Sequence, residues 1–194
     1  MKRAVADTPT MDKILDVAER LVQTRGFNGF SYADVAQTLG IRKPSIHHHF
    51  ASKSALGERL VARYTERFMD ALASIKGGTA SARLRRYAAL YRKVLQDSDG
   101  ERMCLCGMMA AEIGTLPHGL RKRIQQFFDR NEEWLAGLFD SGRRSGQLQF
   151  RDTPRDAARR TVSSLEGAML VSRAQQDPAR FDRHVAGLLA DLKP

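Results

Sequence analysis

An all-α fold of roughly nine helices is what the sequence predicts, on three observations. Apolar residues recur at spacings of three and four along nearly the whole chain, no segment shows strict alternation, and Pro and Gly cut the sequence at Gly26, Gly40, Gly77–Gly78, Gly100, Pro117, Gly142, Gly146, Pro154 and Pro178. The 194 residues suffice for a full core, either as one large domain or as two small ones. Short helices precede the segment 53–75 and long ones follow it, so the internal boundary is expected there, with domains at 1–52 and 53–194.

The first element is fixed by one apolar stripe, Ile14, Leu15, Ala18, Leu21 and Val22, closed by Gly26 as a left-handed stop. In FSYADV, Ser31 caps the next helix while Asp34 reaches back to the Ser31 amide, and Phe30 packs on Val35 as a staple, so this helix starts at Tyr32. Leu39 and Gly40 end it after barely two turns. The chain reopens at Pro44, whose missing N–H costs nothing in a first helical turn. Helix, tight glycine turn, helix is the spacing of a helix-turn-helix, in which the second element enters the DNA major groove.

That spacing frames the run IHHHF at 46–50. Successive helical residues turn by about 100°, so His47, His48 and His49 face three directions and do not together hold one metal. Ile46 and Phe50, four apart, make the buried edge, and His47 and Ser45 take the outer face. No carboxylate or second histidine cluster lies nearby to support acid–base chemistry. Solvated or core-edge histidines are the plain alternative. Between Asp34 and Glu58 there is no acid, whereas Arg42, Lys43 and Lys53 are present, so the stretch offers phosphates an unopposed positive surface.

The segment SYADVAQTLGIRKPSIHHHFASKSAL, within a match over residues 11 to 60, resembles the DNA-binding domain of TetR-family transcriptional regulators. The resemblance implies a three-helix DNA-binding head, a long fourth helix, a larger helical body, and a homodimer that leaves a near-palindromic operator when a small molecule binds. It further implies that Ser31, Lys43, Ser45, His47, His48 and Lys53 touch DNA, while His49 and Phe50 pack. Two positions depart from the family pattern. Arg42 stands where a small capping hydroxyl is common, which weakens the cap and adds a phosphate-binding charge, and His47 stands where tyrosine is usual.

The body's most unusual stretch is MCLCGMMAAE, 103–112. Cysteine two residues from cysteine is a poor intrahelical disulfide and, without further Cys or His at ligand spacing, a weak metal signal. An ordinary core helix is one reading. The functional one is a wall of an apolar effector pocket in which a thiol meets an electrophile, and a Cys-Leu-Cys-Gly segment of this kind resembles one in a TetR subgroup. The expected lining is Phe68, Leu72, Met103, Cys104, Cys106, Met108, Phe127 and Trp134. Glu112 joins it because an acid on an apolar face needs a partner. Beyond Pro154, the stripe Ala158, Thr161, Val162, Leu165, Ala168, Met169 and the stripe Phe181, Val185, Leu188, Leu189, Leu192 suggest two helices pairing across a twofold axis, or else facing the chain's own core.

The net charge of +10 favours polyanionic partners. Only +3 of it falls within residues 1 to 60, so the rest is expected on solvated faces such as RLRRY at 83–87 and RKR at 121–123. The two cysteines make no disulfide framework, and MKRAVADTPTMDK carries no apolar leader, so a reducing cytoplasm is expected and no membrane association. Gly-rich phosphate loops, H-E-x-x-H and G-x-S-x-G are absent, so no catalysis, cofactor or metal is expected. Together these features predict a repressor released by a small apolar or electrophilic effector. The alternative is an architectural or interaction DNA-binding helical protein without one.

Overall fold

The computed structural model describes residues 8–98 and 100–192; residues 1–7, the start of the segment taken to lack a leader, lie outside that range. Among the described residues there are nine α-helices, one 3-10 turn (Ile113–Thr115) and no strand. The helices are α1 (Thr8–Arg25), α2 (Tyr32–Leu39), α3 (Lys43–His49), α4 (Lys53–Ser74), α5 (Ala80–Gln96), α6 (Leu105–Ala111), α7 (His118–Arg144), α8 (Pro154–Ala174) and α9 (Pro178–Ala190). None of them is long and apolar enough to cross a membrane.

The chain forms two compact units, and neither follows a cut at residue 52. The first comprises Met1–Tyr64 with Leu105–Ile124, the second Thr65–Cys104 with Gln125–Pro194. α4 therefore begins in one unit and ends in the other, and α6 with the start of α7 joins the head. The physical reason lies in long-range contacts that local punctuation does not announce. Leu116, Leu120 and Ile124 are buried, α6 packs on α1, and the Glu112 carboxylate binds backbone amides of the α1–α2 turn.

In the first unit the expected stripe of α1 is the core: Ile14, Leu15, Ala18 and Val22 have no exposed surface. Burying one such aliphatic side chain contributes about 1.5–3 kcal/mol. Ser31 caps α2 through the Ala33 amide, and the Asp34 carboxylate accepts from the Ser31 N–H at 2.8 Å, a complete capping box. Gly40 ends α2 at φ +64°, where an L side chain is strained. Tyr32 then ties α2 to the end of α3, its hydroxyl donating to the Phe50 carbonyl at 3.0 Å, and burial pushes that phenol up to about 12. Arg63 of α4 holds α1 through Asp16 at 2.9 Å and Glu19 at 3.1 Å.

In the second unit α5, α8 and α9 pack together around Tyr87, Leu95, Phe127, Phe139 and Phe181, each at most 1% exposed. One expectation is corrected here. Ala158, Thr161, Val162, Leu165 and Met169 are buried against the chain's own core, as are Phe181, Leu189 and Leu192, so most of each stripe faces inward, while Ala168, Val185 and Leu188 stay part-exposed. What α8 leaves outside is a different stripe, Ser163, Gly167, Leu170, Val171 and Ala174, in which Leu170 is 57% and Val171 41% exposed.

Candidate functional site

The first site is the outer face of α3. Pro44 sits in its first turn, and the helix starts at Arg42 without a side-chain cap, so the Arg42 guanidinium is not committed to its own helix end. Arg42, Lys43, Ser45, His47 and His48 are all exposed, whereas Ile46 and Phe50 are buried. The His47 ring stands edge-on to Tyr32 at 4.8 Å between centroids, which orients it from the buried side while leaving its polar edge available. His48 meets the half-buried His49 edge to face at 5.5 Å. Two hydroxyls or cations of the expected set are spent differently. Ser31 is exposed, but its Oγ donates to Asp34 at 2.7 Å as part of the cap.

Lys53 departs furthest from expectation. Its ammonium donates to the Phe30 carbonyl and lies over the Phe27 and Phe30 rings, 4.8 and 4.3 Å from their centroids. Burial draws its pKa down, an effect the Glu112 and Asp34 carboxylates partly offset. This lysine holds the α1–α2 turn to the start of α4.

Glu112, expected in a ligand pocket, belongs to the same turn. Its carboxylate accepts from the Phe27 N–H at 2.6 Å and the Asn28 N–H at 3.1 Å, and Asn28 Nδ2 donates to Thr115 Oγ1 at 2.7 Å. Gly26, at φ +83°, makes room for it, since a Cβ there would lie 2.7 Å from Glu112 Oε1. A carboxylate satisfied by adjacent amides is a structural clamp of the kind that backbone nests form with anions.

The second site lies inside the second unit. Asn131 of α7, with no exposed surface, takes a hydrogen bond from Tyr87 Oη at 2.8 Å and donates one to Tyr91 Oη at 2.9 Å. The two tyrosine hydroxyls are themselves 3.1 Å apart. Burial raises both phenols, and the Glu166 carboxyl adds to the rise. Glu166 of α8 is part-exposed as a residue, but its carboxyl oxygens are buried. Neither of its oxygens has a hydrogen-bond partner of full geometry, although the Cys104 thiol faces it. Burial pushes this carboxyl up to about 7, and the thiol offsets part of that rise. Trp134 stacks on Tyr87 at 5.8 Å, and Phe68 of α4 meets Tyr91 and Phe127 at 5.9 and 5.2 Å.

Of the expected lining, Phe68, Leu72, Met103, Cys104, Phe127 and Trp134 fall in this unit, while Cys106, Met108 and Glu112 fall in the other. Cys104 precedes α6 rather than lying on it; both cysteines are buried and neither is in a disulfide. Sequence reasoning missed Tyr87, Tyr91, Asn131 and Glu166. A signal existed for three of them. Tyr87 and Tyr91 are four apart on one helical face, and Glu166 is an acid beside the apolar positions Leu165 and Met169, the same anomaly that singled out Glu112. A separate groove of about 900 Å³ runs along α8, α9 and residues 149–152, past Phe150, Arg160, Arg183 and His184; none of the expected lining borders it.

Models of two known protein families match successive stretches of the chain. The model of "Bacterial regulatory proteins, tetR family" matches residues 14–60, and that of "Tetracyclin repressor-like, C-terminal domain" matches residues 80–188. The chain belongs to the TetR family, and it is a ligand-responsive DNA-binding transcriptional regulator of the repressor kind. It is 26% identical over 188 residues to the HTH-type transcriptional repressor NemR of Escherichia coli (strain K12), covering 93% of this chain and 94% of that one. It is 25% identical over 157 residues to the transcriptional regulator AcuR of Cereibacter sphaeroides, covering 79% of this chain and 72% of that protein. A crystal structure of a TetR-family regulator from Agrobacterium tumefaciens superposes with a TM-score of 0.93 at 32% identity, over 97% of this chain and all of the other.

Proposed function

We propose that this protein acts in the cytoplasm as a homodimeric repressor whose α3 helices read a near-palindromic operator and which a small molecule, bound within the second unit, releases. The observation that carries the DNA half is the α3 face, with Arg42, Lys43, Ser45, His47 and His48 exposed together and no acid between Asp34 and Glu58. Cations there bind phosphates and release counterions, while Ser45 and His47 reach base edges. The exposed Leu170 and Val171 on α8, beside Gly167 and Ala174, support pairing of two chains through that face.

For the effector, the supporting observations are that the aromatic residues Phe68, Phe127 and Trp134 fall in the same unit as the Cys104 thiol, with Leu72 and Met103 buried in it. The group that thiol faces is a carboxyl rather than a cation, which favours reversible binding over capture of an electrophile. Cys104 is followed directly by α6, and α6 leads through Ala111 to the Glu112 clamp on the α1–α2 turn. A ligand that shifts residues 103–112 therefore pulls on the turn that orients α2.

Selection of DNA fragments from random sequence tests this function directly. The expected product is a near-palindrome bound by two chains, released by a small molecule at a saturable concentration. Selection of no preferred sequence contradicts it, and so does binding as a single chain.

A further inference from the structure

We infer that the effector carries a cationic nitrogen, an ammonium or amidinium on an apolar or aromatic body, and that Glu166 is the residue that receives it. The inference rests on the effector-site reading above and gives that site its ligand class. Both Glu166 carboxyl oxygens are buried without a hydrogen-bond partner of full geometry. A carboxyl in that position is an unmet acceptor, and burial of one costs free energy unless a partner arrives. Tyr87 and Tyr91 are already engaged through Asn131, which leaves only the Cys104 thiol, a weak donor, facing it.

The charges around Glu166 leave the role of counterion open. The Cys104 thiol faces it, and it acts on Tyr87 and Tyr91 of α5. Among the described residues, no lysine, arginine or histidine of α5, α7, α8 or α9 is among the groups that set its charge. Arg83, one turn before Tyr87, lies instead over the Trp134 ring, 5.8 Å from its centroid. The stacked Tyr87–Trp134 pair already carries that guanidinium on its indole, so this wall is one that a cation can lie against. A neutral donor would satisfy its oxygens without compensating the ionised form, and an anion would face a like charge.

Protonation gives the inference a signature. With burial holding the carboxyl near 7, a cation binding the ionised form must displace a proton at lower pH. Affinity should then rise by about tenfold from pH 6 to pH 8 and release a fraction of a proton at pH 7.

The test is calorimetry on the full-length protein with a graded series of arylalkyl amines, from benzylamine to two-ring amines, each beside the alcohol of the same skeleton. These amines stay cationic throughout the pH range. The expected result is that at least one amine binds at least tenfold more tightly than its alcohol at pH 8, with the pH rise above and with proton release detected by changing the buffer. In Glu166→Gln the preference, the pH dependence and the proton release should all vanish. Proton release and pH profile are read on the unaltered protein, so they decide the matter even if the variant misfolds. Alcohols binding as tightly as amines, no amine binding at all, or an unchanged Glu166→Gln would overturn the inference. If the protein still selects an operator and other compounds release it, only the ligand class falls; if it selects no operator, the underlying function falls with it.

Discussion

The outer face of α3 and the cluster around Asn131 use polar side chains in opposite ways. On α3, Arg42, Lys43, Ser45, His47 and His48 come from one short run of sequence and stand in solvent. Around Asn131, the polar atoms of Tyr87, Tyr91, Cys104 and Glu166 come from separated segments and are withdrawn from it, Asn131 and the two tyrosines tied to one another and the Glu166 carboxyl faced only by the Cys104 thiol. A surface that meets a polyanion needs only exposure and an absence of nearby acids, both of which are local. A site that recognises a small molecule needs desolvated groups converging from distant segments, where each hydrogen bond counts for more than it does in water.

The largest effect expected from this contrast is at its centre. Asn131→Ala leaves the two buried hydroxyls only their bond to each other and should cost about 1–3 kcal/mol, the usual penalty for one buried polar group left unpaired. Urea unfolding measures this, and a loss below about 0.5 kcal/mol, the usual size for a surface change, would mean the cluster is not the polar centre of the unit.

Glu166 should act on stability in the opposite direction. Its carboxyl is held near 7 in the folded chain against 4.5 for the ordinary group, so the unfolded chain gives up the proton first as pH rises. Stability is thus full below about pH 4.5 and falls between there and pH 7, by roughly 3 kcal/mol if the whole difference is realised. Glu166→Gln should flatten that fall and make the protein more stable than the parent at pH 8. A parent and variant with parallel stability curves from pH 5 to 8 would show that the carboxyl is solvated.

Within the head, two lysines sharpen the same distinction. Lys43 is exposed, whereas Lys53 donates to the Phe30 carbonyl and lies on two rings. Lys53→Ala should cost about 1–2 kcal/mol of stability through a lost hydrogen bond and cation–π contact, with the salt dependence of DNA binding unaltered. Lys43→Ala should leave the melting temperature in place. A smaller change is expected from Glu112→Gln, which keeps one acceptor for the Phe27 and Asn28 amides and should cost about 1 kcal/mol. Operator affinity should drop with it, and an unchanged affinity would uncouple the α6 clamp from the DNA-binding turn.

The head was legible because its determinants are neighbours in sequence. Ser31 and Asp34 are one turn apart, Gly40 ends α2 where its φ is positive, and Ile46 and Phe50 fall on the buried edge that the spacing of four requires. The helices of the body were legible for the same reason, but their partners were not. Periodicity shows that Ala158, Leu165 and Met169 share a face without showing whether that face meets the chain's own core or a second copy, and it is the core. Glu112 and Glu166 are both acids beside apolar residues. Only the tertiary fold brings one to the Phe27 amide and leaves the other beside Cys104. Lys53 looked like a phosphate ligand because the rings that hold it lie more than twenty residues earlier.

The central claim, that the exposed residues of α3 carry DNA recognition with separate duties for charge and sequence, is tested most directly by titrating salt against binding of selected operator DNA. The parent, Lys43→Ala and His47→Ala would be compared on the operator and on single-base variants of it. Lys43→Ala is expected to lower the slope of log affinity against log salt by about one and weaken all the DNAs alike. His47→Ala is expected to keep the slope and change which bases are preferred, by about 1–3 kcal/mol per contact. The opposite pattern, with Lys43→Ala changing the preferred bases at an unaltered slope, would contradict the assignment.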